Sequence, residues 1–158
     1  MVAAALFSTV LTTACGPPID LSTGLQVDAV STGWLDAGNV DGKNKLVPAV
    51  SFRLKNASAR KLTMLEVHAL FRRVGDGNEW GDGLVTAAGS SGLAPGAATS
   101  AITVRSQLGY TGIESGADML DNSHFVDARV DLFARSRYGS TSWTRLGEFP
   151  INRRLISR

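Results

Sequence analysis

Cysteine and histidine are nearly absent from this chain of 158 residues: it has one of the first and two of the second. A single thiol forbids an intramolecular disulfide, so stability has to come from the hydrophobic core. A metal centre needs several His, Cys or carboxylate ligands converging on one point. His68 and His124 lie far apart in sequence and read as an exposed strand residue and a loop residue instead. No Gly-x-Ser-x-Gly elbow, phosphate loop or Gly-x-Gly-x-x-Gly run occurs. Asp127 and Asp131, four apart on one strand, would stand about 13 Å from each other. A retaining glycosidase holds its carboxylates about 5 Å apart, which excludes this pair from that role. On these absences the chain is expected to be no enzyme, with no catalytic residue, cofactor or metal.

Charge is missing from the start of the chain, where no ionisable side chain precedes Asp20 except the thiol of Cys15. Residues 1–14 are mostly small or apolar, yet too short to cross a bilayer as a helix, which takes about 20 apolar residues. The run fits the apolar region of a signal peptide and ends Leu11-Thr12-Thr13-Ala14-Cys15. That ending resembles a bacterial lipobox, in which the cysteine thiol takes up a diacylglycerol after cleavage. The positively charged start usual in such leaders is missing, which leaves an upstream start open. Gly16-Pro17-Pro18 and the residues to 24 read as a linker. The expectation is a leader over 1–14, a lipidated Cys15 with linker over 15–24, and a folded domain over 25–158. The membrane, reached through the lipid on Cys15, is the first expected partner. The expected location is the cell envelope, on the periplasmic face of the inner or outer membrane.

What is present is ordinary globular composition: 44% apolar and 19% charged residues, with 17 glycines. This argues against disorder and for one domain able to bury its own core. The net charge is only +2. Residues 126–158 hold seven arginines against three acids, and the rest of the chain is slightly acidic. Such an end is either a solvated face or a surface for an anionic partner. No nucleic acid is expected.

Along the domain the apolar period is two. Val50, Phe52 and Leu54 alternate with Ser51, Arg53 and Lys55. Val126, Ala128, Val130, Leu132 and Ala134 alternate with Asp127, Arg129, Asp131 and Arg135, Phe133 being the exception. Further strands are expected over 25–35, 62–74, 83–88, 98–105 and 142–151. In 62–74 the inner face is Leu65, Val67, Ala69 and Phe71, with Met64 and Leu70 suggesting partial cover on the other side. In 142–151, Trp143 and Leu146 have opposite parity beside Gly147, which a bulge would reconcile. Turn signals at Asp41-Gly42, 56–58, 75–78, 94–96 and 138–140 separate the runs. About seven such strands predict an all-β, immunoglobulin-like antiparallel sandwich.

Two segments stand apart. Residues 106–125 do not alternate, and 115–120 fit one short helical turn. Such a segment is either a functional connection or a plug carrying Tyr110, Met119 and Leu120. The loop 76–82 gathers Asp76, Glu79 and Asp82, but at no calcium-loop spacing, and reads as a polar hairpin tip. Trp80 within it is either an exposed anchor or a lid folded on the core. Trp80, Tyr110 and His124 are the candidate partner-binding residues.

Val50-Ser51-Phe52-Arg53-Leu54-Lys55-Asn56-Ala57-Ser58, then Leu65-Glu66-Val67-His68-Ala69-Leu70-Phe71 and a Gly-Asp turn, then Leu93-Ala94-Pro95-Gly96, form a familiar order. It resembles FxLYD-type and late-embryogenesis-abundant (water-stress) domains. The aromatic–Asp pair of the first family is absent, since Arg72 follows Phe71. Trp143-Thr144-Arg145-Leu146-Gly147-Glu148 resembles small uncharacterised envelope lipoproteins of bacteria. The resemblance implies a binding or scaffold module contacting a protein of the envelope. The other implied role is structural, a stress-protective envelope protein of the water-stress type.

Overall fold

The computed structural model describes residues 17–136 and 142–156. The leader 1–14, Cys15 and the expected turn at 138–140 lie outside the described residues. Among the described residues, no helix is long and apolar enough to cross a membrane.

The chain forms two packed sheets, an all-β sandwich. A one-turn helix α1 (Leu21–Gly24) leads into β1 (Leu25–Val40), and β2 (Lys43–Asn56) returns beside it. The hairpin between them is a two-residue loop in which Asp41 and Gly42 have φ of 52° and 78°. This left-handed pair matches the right-handed twist of the strands it joins. β3 (Leu65–Arg73) and β4 (Gly81–Ala88) form a hairpin in the second sheet. β5 (Ile102–Arg105) crosses back to pair with β2, followed by β6 (Tyr110–Gly112) and the helix α2 (Gly116–Asp121). β7 (Ala128–Ser136) and β8 (Thr144–Pro150) complete the second sheet, and β9 (Leu155–Ile156) runs parallel to β1.

The first sheet has the order β5-β2-β1-β9, with β6 also on β2, and the second β4-β3-β7-β8. Seven strands, β1–β5, β7 and β8, make the immunoglobulin-like pattern. The count of seven is corrected to nine by β6 and β9, three and two residues long. Strands that short carry no alternation for a sequence reading to detect.

The core lies between the sheets. Leu46, Val50, Phe52 and Leu54 from β2 meet Leu65, Val67, Ala69 and Phe71 from β3 and Val130, Leu132 and Ala134 from β7, all fully buried. Val126 does not join them: it is 40% exposed, because β7 starts only at Ala128 and Phe125 turns inward in its place. The bulge in β8 is present. Leu132 faces Gly147 and Phe133 faces Arg145, so Leu146 is the extra residue.

Two expectations about the flanks need correction. Residues 17–24 are not all linker: Leu21 is buried, Ile19 packs on the core, and Asp20 caps α1 by accepting a hydrogen bond from the Ser22 amide. Segment 106–125 is not wholly irregular, since it contains β6 and α2. The expected helical turn falls almost on α2, with Ser115 as its N-cap.

Candidate functional site

β1 rises from Leu25, beside α1, to Trp34 nine residues on, a climb of about 30 Å. The sandwich therefore has a chain-entry end and a far end. At the entry end the Arg60 guanidinium donates to the Pro17 carbonyl. Loop 57–64 holds Arg60 and Lys61 there and no acid. At the far end lie the 74–80 loop and the whole 106–127 segment.

That far end contains a cluster of four aromatic side chains. Trp34, fully buried, stacks edge-on against Phe125 with ring centroids 4.7 Å apart. Tyr110 sits 4.8 Å from Phe125 and 4.9 Å from Trp80, and Trp80 is 6.1 Å from Trp34. Offset and edge-to-face pairs at these distances each contribute about 1 kcal/mol beyond their burial. Trp80 is thus half-buried, packed on the core, with its amide donating to the Phe71 carbonyl. The lid alternative describes it better than a free anchor does. Trp34 Nε1 is buried with no acceptor among the described residues.

Tyr110 is half-buried, and its hydroxyl donates to the Val126 carbonyl at 3.3 Å. Burial raises its pKa above the ordinary tyrosine value, partly opposed by the nearby Arg73 guanidinium. The phenol therefore stays neutral and acts as a hydrogen-bonding group. Arg73 lies 5.9 Å from the Trp80 ring, so a cation backs the same cluster.

His124 is exposed, its amide held by Asn122 Oδ1 at 2.9 Å. It lines a cleft of about 170 Å³ together with Tyr110, Glu114, Met119, Asn122 and Phe125. The structure so brings the three candidates, Trp80, Tyr110 and His124, to one end of the molecule. Tyr110 bridges the other two, touching the cleft on one side and Trp80 on the other. Sequence reasoning missed Trp34 and Phe125, which hold Tyr110 in place. It also missed Ile113, 80% exposed at the tip between β6 and α2. Ile113 is detectable in principle as a lone large apolar residue among Thr, Gly, Glu and Ser.

The loops of this end are acidic, while the cations beside them, Lys45, Arg73 and Arg153, come from neighbouring elements. Residues 74–80 and 106–127 carry Asp76, Glu79, Glu114, Asp118, Asp121 and Asp127 and no Lys or Arg. Asp127 is neutralised by Arg153, which pairs with it at 2.6 Å. Asp76 accepts from the Asn78 amide and pairs with Arg73 at 3.1 Å; the amide bond is the main reason its pKa is lowered. No group of three or more His, Cys, Asp or Glu is placed to hold a metal ion among the described residues.

His68 is not an exposed strand residue. Its ring is three-quarters buried, bonded to Asp82 at 2.9 Å and stacked 5.4 Å from Trp143. On the same outer face of the second sheet, Asp131 of β7 is buried between Arg72 of β3 and Arg145 of β8. This is a cross-strand pairing of opposite charges on the outer face of the sheet.

No protein-family model and no curated protein matches the chain. A solved X-ray structure of a Northeast Structural Genomics Consortium target is similar over 84% of this chain and 89% of its own, at 14% identity and a TM-score of 0.48.

Proposed function

We propose that the chain is a non-enzymatic, lipid-anchored binding module of the bacterial envelope. It presents its far end to a protein partner that meets the cleft with a basic surface. The Cys15 lipobox supplies the anchor. The observation that carries the reading is the separation of ends. The chain comes in at the α1 end, held by Arg60 on Pro17. The aromatic cluster, the cleft and exposed Ile113 stand about 30 Å away. A tether there leaves the acidic loops facing away from the membrane. Their excess of carboxylates favours a partner of opposite charge and speeds its approach. Tyr110 and Phe125 form an aromatic wall, the kind of surface in which binding energy concentrates.

Photo-crosslinking in intact cells tests this. A crosslinking residue at Thr111 or His124 is expected to capture one discrete protein, and the same residue at Lys61 is not. No discrete product from either far-end position, with the protein in the membrane fraction, would overturn the binding reading.

A further inference from the structure

The broad outer face of the first sheet carries a second feature, distinct from the far-end cleft. Ser31 of β1 pairs with Ser51 of β2, and Ser51 pairs with Thr103 of β5. All three lie on the side of the sheet away from the core, so three hydroxyls form one row across three strands. The row spans about 10 Å. It floors a trough of about 380 Å³ walled by Arg154, Leu155 and Ile156. The next row toward the far end is Gly33 and Ala49, equally small, ending in Arg105 of β5. Gly33 and Ala49 are covered by the 154–156 segment, with Ile156 packed against Ala49, Val47 and Leu35, so this row closes the trough on its far-end side.

One guanidinium group, Arg154, lines the trough, and two more, Arg53 and Arg105, stand on the same face on either side of the hydroxyl row. Arg154 is held in place, its Nε donating to the Thr32 carbonyl at 2.9 Å and its terminal nitrogen to Ser31 Oγ at 2.7 Å. Arg53 is two residues from Ser51 and Arg105 two from Thr103, so strand alternation sets both on this face. Both are exposed, and neither makes an ion pair among the described residues. One acid, Asp28, lies opposite Arg53, with its Oδ1 occupied by the Ala29 amide at 2.7 Å.

We infer that this trough binds a phosphorylated sugar unit. Guanidinium groups match phosphate oxygens in a two-pronged geometry. The Ser51 and Thr103 hydroxyls can donate to and accept from sugar hydroxyls, and Ser31, whose Oγ accepts from Arg154, keeps its own proton to donate. The pre-bound Arg154 lowers the ordering cost of binding. No aromatic side chain lines the trough, so recognition is through polar contacts rather than stacking. This inference stands apart from the far-end partner and from the lipid anchor.

Isothermal titration of the full chain in detergent with glucose 1-phosphate is the test, beside glucose and inorganic phosphate. Saturable binding of the sugar phosphate is expected, tighter than either fragment. Arg105→Ala should weaken it about tenfold and Ser51→Val several-fold. Trp80→Ala, at the far end, should leave it unchanged. No saturable binding, inorganic phosphate binding as tightly as the sugar phosphate, or an Arg105→Ala variant equal to wild type would each overturn the inference.

Discussion

Asn56 shows how one polar residue holds several elements together. It is fully buried at the end of β2. Its Nδ2 donates to the Arg60 and Leu93 carbonyls, both at 2.8 Å, and its Oδ1 accepts from the amide and hydroxyl of Ser58. All four of its side-chain donor and acceptor positions are used, and it ties the 57–64 loop to the 89–97 loop. Asn56→Ala removes four hydrogen bonds at once, leaving the Leu93 carbonyl only the Leu62 amide and the Arg60 carbonyl only the Ser58 hydroxyl, and is expected to cost about 3 kcal/mol, read as a lower midpoint in urea unfolding. Asp131 works on the opposite logic, as one carboxylate shared by Arg72 and Arg145. Arg145 is more than half exposed, so water screens much of that pair. Asp131→Asn is expected to cost about 1–2 kcal/mol, measured in the same way, and less in high salt. The alternation around Asn56 and Asp131 is visible in the sequence. Their partners are not, because Leu93 and Arg72 come from distant segments.

At the scale of elements, the two sheets meet at their margins as well as their faces. Thr32 of β1 donates its hydroxyl to the Pro150 carbonyl of β8 at 2.8 Å, closing one side. On the other side β4 approaches β5 closely. A Cβ on Gly83 would lie 2.4 Å from Val104 Cγ1 and 2.9 Å from the Arg105 carbonyl. Gly83→Ala should therefore push β4 off β5, at about 2 kcal/mol, with faster amide exchange across 81–88 as the readout. β6 is docked more tightly still. A Cβ on Gly109 would lie 1.9 Å from the Leu46 carbonyl oxygen, a collision with backbone that cannot relax. Gly109→Ala is expected to displace β6 and Tyr110 with it, quenching or shifting the tryptophan emission from the aromatic cluster. The glycines themselves are plain in the sequence, where they read as turn residues. Their real role here is close approach, which depends on what the fold places beside them.

For the molecule as a whole, pH and attachment are the levers. Asp20 has its carboxyl pKa lowered from the ordinary aspartate value, first by the Ser22 hydroxyl, and Asp76 likewise, first by the Asn78 amide. A folded-state pKa below the unfolded one adds stability that is present above the unfolded value. It is lost as pH falls through the folded value. Both carboxylates thus hold their loops near neutral pH, and acid titration is expected to loosen the α1 segment and the 74–80 tip only below about pH 4. Thermal unfolding midpoints from pH 7 to pH 3 would show a fall confined to the acid end; a fall between pH 7 and pH 5 would contradict this. For attachment, the Cys15→Ser variant is expected to leave the membrane fraction while the wild type stays, carrying acyl mass on its N-terminus. Wild type recovered without acyl mass would remove the anchor from the proposal.

The sequence by itself determined the class of fold, the existence of the seven main strands, the β8 bulge and the α2 turn, though β2 begins at Lys43, well before the alternation at Val50, and β1 runs on past Leu35 to Val40. It did so because a half-buried strand must alternate, and because Asp-Gly, Asn-x-Ser and Pro-Gly punctuate backbone whatever surrounds them. Only the tertiary structure decided that Trp80 packs as a lid and that Leu21 belongs to the core. The same holds for the meeting of Tyr110 with Trp34 and Phe125, and for the row of Ser31, Ser51 and Thr103. Each of these depends on register between strands far apart in the chain. Register is a property of pairs, and a single strand's pattern does not contain it.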